Sequence, residues 1–238
     1  MPTTPANRTN RTKAAGSAKA AKKRAAPRSR RPAATTVLFV RHGQTPTTGN
    51  VLPGRAKGLH LAEAGHKQAA AVAERVAGIG KVHAIYSSPL ERTRETAAPI
   101  AKRLGLKVAV ERGLLECDFG DWTGKRLDRL RKLPEWSRVQ RYPSGFRFPN
   151  GESFTEMQTR ITGTVARLRQ RHPRGTVVVV SHADPIKAAV ADALGTHLDL
   201  FQRIVISPCS VTTITYGNGG PIVLAVNSTT GNLPTDAR

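Results

Sequence analysis

Four short stretches of the chain combine residue types that can move a phosphoryl group. Arg41–His42–Gly43–Gln44–Thr45, Ser87–Ser88–Pro89–Leu90–Glu91–Arg92 and Ser181–His182–Ala183 each follow an apolar, β-branched run, and Leu114–Leu115–Glu116–Cys117–Asp118–Phe119–Gly120–Asp121–Trp122 supplies carboxyls. A neutral imidazole attacks phosphorus well, and a covalent intermediate divides one difficult displacement into two easier ones. Arg41, Arg92 and the second histidine can balance the phosphoryl oxygens, the arginines in bidentate fashion. Gly43 allows close approach of the backbone. An alkoxide leaves poorly without a proton, so a carboxylic acid must stand nearby, and Glu116, Asp118 and Asp121 are the candidates. Burial raises such a carboxyl's pKa while neighbouring cations lower it.

The elements that must position these groups follow from the pattern. Thr36–Val40, Val82–Tyr86 and Thr176–Val180 are predicted as buried strands. Helical patterns over Ala62–Ala77, Pro89–Leu104, Gly151–Arg171 and Pro185–Leu194 separate them. Such alternation predicts βαβ units in an α/β three-layer sandwich with a mainly parallel sheet. Ser210–Tyr216 and Ile222–Val226 flank a turn at Gly217–Pro221 and predict a hairpin forming an antiparallel edge. Ligands of open parallel sheets sit beyond the carboxyl ends of the strands, so the three strand-end motifs are expected to meet at one edge. Ser88, Pro89 and Glu91 predict a capping box that opens the second helix, with Arg92 in its first turn. Asp184 and Pro185 are expected as N-cap and first residue of the helix after His182, whose N–H groups would face an anion.

Together these motifs, spread from Val37 to Val226, resemble the histidine phosphatase superfamily, in the branch of the cofactor-dependent phosphoglycerate mutases. The resemblance rests on Arg41–His42–Gly43, Ser88–x–Leu90–x–Arg92, Glu116 followed by Phe119–Gly120–x–Trp122–x–Gly124, and Ser181–His182. It implies a phosphoglycerate mutase-like fold and His42 as nucleophile. Arg41, Arg92 and His182 would form the phosphate pocket and Glu116 would donate the proton, with no metal or other cofactor. The chain looks most like the small actinobacterial-type members, with Val51–Leu52–Pro53–Gly54–Arg55 after the first motif. Many relatives carry Asn where Thr48 stands, with Asn50 two residues on, and Gly where Ala183 stands. The candidate substrate contacts are therefore Arg41, Gly43, Gln44, Thr45, Thr48, Asn50, Arg55, Arg92, His182 and Ala183. The expected activity is hydrolysis of small phosphorylated metabolites. Mutase chemistry, an isomerase activity, is the alternative and needs a lid that excludes water.

His60, His66, His83, His172 and His197 lack any metal-type spacing and are expected to be structural or superficial. Trp122 is expected to pack, and Arg126, Arg131, Arg138, Arg141 and Arg147 to form a solvated face.

The formal charge of +22 is uneven: residues 1–35 hold ten Lys or Arg and no acid, leaving 28 basic and 16 acidic residues beyond. That arm, 1–35, is expected to be disordered. Nucleic-acid contact through it is one reading, and a protein that chiefly binds nucleic acid is a further alternative to an enzyme. The catalytic domain is expected over 36–230, with a lid-like insertion at 118–150, partly helical around Arg126–Leu133, and a flexible tail at 231–238. A basic folded part suits an anionic substrate. No apolar run is long enough for a bilayer, and no apolar signal segment follows the basic N-terminus. Two cysteines without metal spacing, Cys117 and Cys209, fit a reducing cytoplasm. The apolar C-terminal hairpin is a candidate homodimer edge.

Overall fold

The computed structural model describes residues 34–235. The expected arm and tail therefore lie outside the described residues, apart from Ala34–Thr35 and 231–235. Thr35 already belongs to the first strand, and Arg75 holds the carbonyl of Gly231 at 3.0 Å.

Six strands form one sheet: β1 (Thr35–Arg41), β2 (Ala84–Ser87), β3 (Val108–Val110), β4 (Thr176–Ser181), β5 (Val211–Gly217) and β6 (Gly220–Ser228), in the order β3-β2-β4-β1-β5-β6. β1 to β4 are parallel, and β5 and β6 add the antiparallel edge. The central strands are continuous apolar runs because both faces are covered. Val37, Phe39, Val177 and Val179 point into one core with α5 (Phe154–Arg171) and α6 (Ala183–Ala193). Their alternates Leu38, Val40, Val178 and Val180 point into the other, beneath α1 (Glu63–Ala77) and α2 (Glu91–Leu104). The period of two thus builds the three layers.

The two helix caps expected from sequence differ from those observed. α2 begins at Glu91, with Leu90 as N-cap and no side-chain cap. Ser88 is drawn away because its hydroxyl is buried against a histidine of the site. α6 begins at Ala183, with His182 as N-cap, so Asp184 lies inside the first turn. The reciprocal capping box is instead at α5, where Ser153 and Glu156 satisfy each other's backbone N–H. β3 was not anticipated, because only three residues pair and two of them are exposed.

The segment 118–150 carries α3 (Leu127–Leu130) and α4 (Pro134–Arg141). Its aromatic residues Phe119, Trp122, Phe146 and Phe148 are buried in the core shared with α5 and α6. Trp122 packs, stacking on Trp136 at 6.3 Å between ring centroids. Among the described residues no helix is long and apolar enough to cross a membrane.

Candidate active site

The ends of β2, β4 and β1 lie side by side, and backbone bonds carry that register one residue further. The His42 N–H donates to Ser181 O at 3.0 Å and the Ser88 N–H to Val180 O at 3.0 Å. His42, Ser88 and His182 consequently share one edge. The two imidazoles stand 5.3 Å apart between centroids, edge to face.

His42 is buried, and its Nδ1 lies 2.8 Å from Gly43 O. A carbonyl only accepts, so Nδ1 carries the proton and Nε2 keeps its lone pair. Burial, then Arg92 and Arg41, holds the imidazole pKa well below its ordinary value. His182 is depressed for the same reasons, with burial first and Arg92 next. Its Nε2 pairs with Ser88 Oγ at 2.9 Å, while Nδ1 has no protein partner.

Arg92 is fully buried and spends only Nη2, on Gly54 O at 2.7 Å; Nε and Nη1 are unpaired. Arg41 gives Nη1 to Ile206 O at 2.7 Å, and its Nε is unpaired. Burying cationic donors without partners is costly, and an anion placed among them would remove the cost.

Glu116 is the one carboxyl of the three candidates that lines the cavity with His42 and Arg41, a space of about 360 Å³. Burial and Asp184 raise its pKa to about 7, against the Cys117 N–H, Arg92 and Arg41, which lower it. Asp118 is instead paired with Arg55 at 3.2 Å, and the exposed Asp121 accepts from Asn150. The Glu116 backbone is clamped as well: its carbonyl accepts from Arg55 Nε at 2.9 Å and Arg160 Nη2 at 3.3 Å. Glu152 balances both guanidiniums, at 2.9 Å and 2.8 Å.

Thr45, Thr48 and Ala183 line the cavity. Thr48 Oγ1 also closes its own turn, accepting from the Thr45 N–H at 2.9 Å. Gly43, Gln44, Asn50 and Arg55 are not among the lining residues, and the fully buried Arg92 and His182 stand behind the lining. Gly43 gives its N–H to Thr96 Oγ1, and a Cβ there would sit 2.7 Å from Gly65 O, so this glycine serves packing against α1. Gln44 and Asn50 are exposed, and Arg55 is consumed by the Glu116–Asp118–Glu152 cluster. Sequence reasoning missed Arg160, Glu152, Lys187 and Gln202, which carry no local motif.

A family model described as the histidine phosphatase superfamily (branch 1) matches residues 37–229. The chain belongs to the histidine phosphatase superfamily. It is an enzyme of the phosphatase and phosphoglycerate mutase-like type. Phosphoserine phosphatase 1 of Hydrogenobacter thermophilus is 33% identical over 198 residues, covering 81% of this chain and 92% of that protein. A probable phosphoglycerate mutase of Cronobacter sakazakii is 32% identical over 183 residues, covering 76% and 84%. Among solved structures, a mycobacterial glucosyl-3-phosphoglycerate phosphatase superposes with a TM-score of 0.75 at 27% identity, covering 82% of this chain and 99% of that one. The expected family and its mutase-like three-layer fold both hold.

Proposed function

We propose that the chain hydrolyses phosphomonoesters of small metabolites in two steps through a phosphohistidine at His42. The observation that carries this is the set of buried, unpaired nitrogens of Arg41, Arg92 and His182 beside an imidazole with its Nε2 lone pair free. In the first step Nε2 attacks phosphorus, the phosphorus–oxygen ester bond breaks, and the Glu116 carboxyl gives its proton to the departing oxygen. In the second step water attacks phosphorus, Glu116 takes a proton from it, and the nitrogen–phosphorus bond breaks to release phosphate. A carboxyl with a pKa of about 7 serves in both directions. His182 Nδ1 and the two guanidiniums hold the charge that gathers on the equatorial oxygens.

Hydrolysis is favoured over mutase chemistry because the 118–150 segment commits Trp122 and Phe146 to the core instead of leaving them to close over the substrate. The activities of the relatives, on phosphoserine and glucosyl-3-phosphoglycerate, support a small anionic metabolite as substrate. Two buried free thiols support a reducing cytoplasm. The basic residues of 1–35 support a non-specific nucleic-acid contact separate from catalysis. The exposed Ile222 and Val226 on β6 support pairing of two copies along that edge. Transfer of labelled phosphate between positions of phosphoglycerate without free phosphate would replace the hydrolase reading by the mutase one. Release of free phosphate supports it.

A further inference from the structure

The catalytic cavity does not end at Glu116. Leu52, Phe119, Asp184, Lys187 and Gln202 line it and also line a second chamber of about 160 Å³. The far walls of that chamber are Trp136, Val139, Phe148 and Phe154, and it opens to solvent beside the exposed Gln140. Phe148, Phe154 and Val139 are buried core residues of the 118–150 segment and α5. An apolar cavity of about 150 Å³ accommodates one benzene ring.

The three polar side chains on the shared wall are mutually satisfied. Lys187 Nζ donates to Asp184 Oδ1 and Gln202 Oε1, each at 3.1 Å, and sits 5.6 Å from the Phe201 ring centroid. They form a neutral, hydrogen-bonding collar between the two spaces. Glu116 and Phe119 both line the catalytic cavity. In the phosphatase reading Glu116 protonates the leaving oxygen, so the leaving group must lie on that side and its natural path runs along Phe119, through the collar.

We propose that the aromatic chamber is a leaving-group subsite, and that the preferred substrates are phosphate esters whose alcohol ends in a single flat apolar ring. The proposal rests on the phosphatase reading and deepens it. Burying one ring is worth roughly a 10- to 100-fold gain in kcat/KM.

The test compares ethyl phosphate, 2-phenylethyl phosphate and 2-(1-naphthyl)ethyl phosphate on the intact chain. All three are primary alkyl esters with similar leaving groups, so ring binding dominates the comparison. The phenyl ester is expected to exceed the ethyl ester by roughly 10- to 100-fold in kcat/KM, and the two-ring ester to lose much of that gain. Val139→Phe, which fills the chamber, is expected to remove the phenyl advantage. Saturable binding of 2-phenylethanol to the wild-type chain, followed by calorimetry, gives a readout that needs neither turnover nor a variant. Turnover of ethyl phosphate with no ring preference and no 2-phenylethanol binding would overturn the subsite and leave the phosphatase reading standing. Binding of 2-phenylethanol with no turnover of any ester would support the chamber and overturn the phosphatase reading.

Discussion

The Nδ1 atom of His42 lies 2.8 Å from the carbonyl oxygen of Gly43, one residue along the chain. That contact fixes the tautomer, and burial beside Arg92 and Arg41 keeps the ring neutral. The Nε2 lone pair is therefore available before any substrate arrives, and under the proposed mechanism the pH dependence should be set by Glu116.

Glu116 must be protonated for the first step, and its pKa is raised to about 7. After correction for substrate ionisation, kcat/KM of an alkyl phosphate should fall tenfold per pH unit above about pH 7. No loss should occur on descending through pH 6.5, because His42 titrates well below that. An acid limb centred near 6.5 would show an ordinary, unshifted histidine.

The same shift has a consequence for stability. A carboxyl whose pKa is raised on folding contributes stability that is fully present below its unfolded pKa and is lost as pH rises through the folded value. Between about pH 4.5 and 7 the wild type should lose up to roughly 3 kcal/mol from this group. Glu116→Gln should lack that slope, be at least as stable at pH 8, and turn over alkyl phosphates roughly 10²- to 10⁴-fold more slowly. Denaturant melts at several pH values, with kcat, check both halves.

Arg92 is buried with two unpaired nitrogens, an arrangement that binds anions and burdens the fold. Inorganic phosphate should raise the Tm of the wild type. Arg92→Met should abolish that rise and cut kcat/KM by roughly 10²- to 10³-fold, the loss typical of one transition-state donor. Retention of the phosphate-induced rise would place the anion elsewhere.

Gly43→Ala tests the packing role assigned to that residue. Its new Cβ would meet Gly65 O at 2.7 Å, a backbone atom that cannot swing aside. A loss of about 1–3 kcal/mol in urea melts is expected. A neutral effect on stability with a selective rise in KM would instead mark Gly43 as a substrate contact.

The strands and the place of His42 at a strand end were legible because they rest on local signals. Val37–Val40 and Val177–Val180 are unbroken apolar runs, and each ends in a polar motif. The three strand ends meet as expected because parallel topology leaves them only one edge to share. Long-range pairings were not legible. Ser88 satisfies every local rule for an N-cap, yet its hydroxyl is taken by His182, 94 residues away. Asp184 likewise caps nothing and instead holds Lys187 and raises Glu116. The choice among Glu116, Asp118 and Asp121 was open in sequence, since all three sit within six residues. Arg55 decides the geometry by occupying Asp118 and gripping the Glu116 carbonyl, and no local pattern announces that contact.

The most direct measurement is phosphate release from an aryl phosphate in EDTA, with the intact protein beside His42→Ala. Activity that survives chelation in the wild type and falls by more than about 10³-fold in the variant is the expected result. Comparable activity in His42→Ala would contradict His42 as the nucleophile and with it the two-step mechanism.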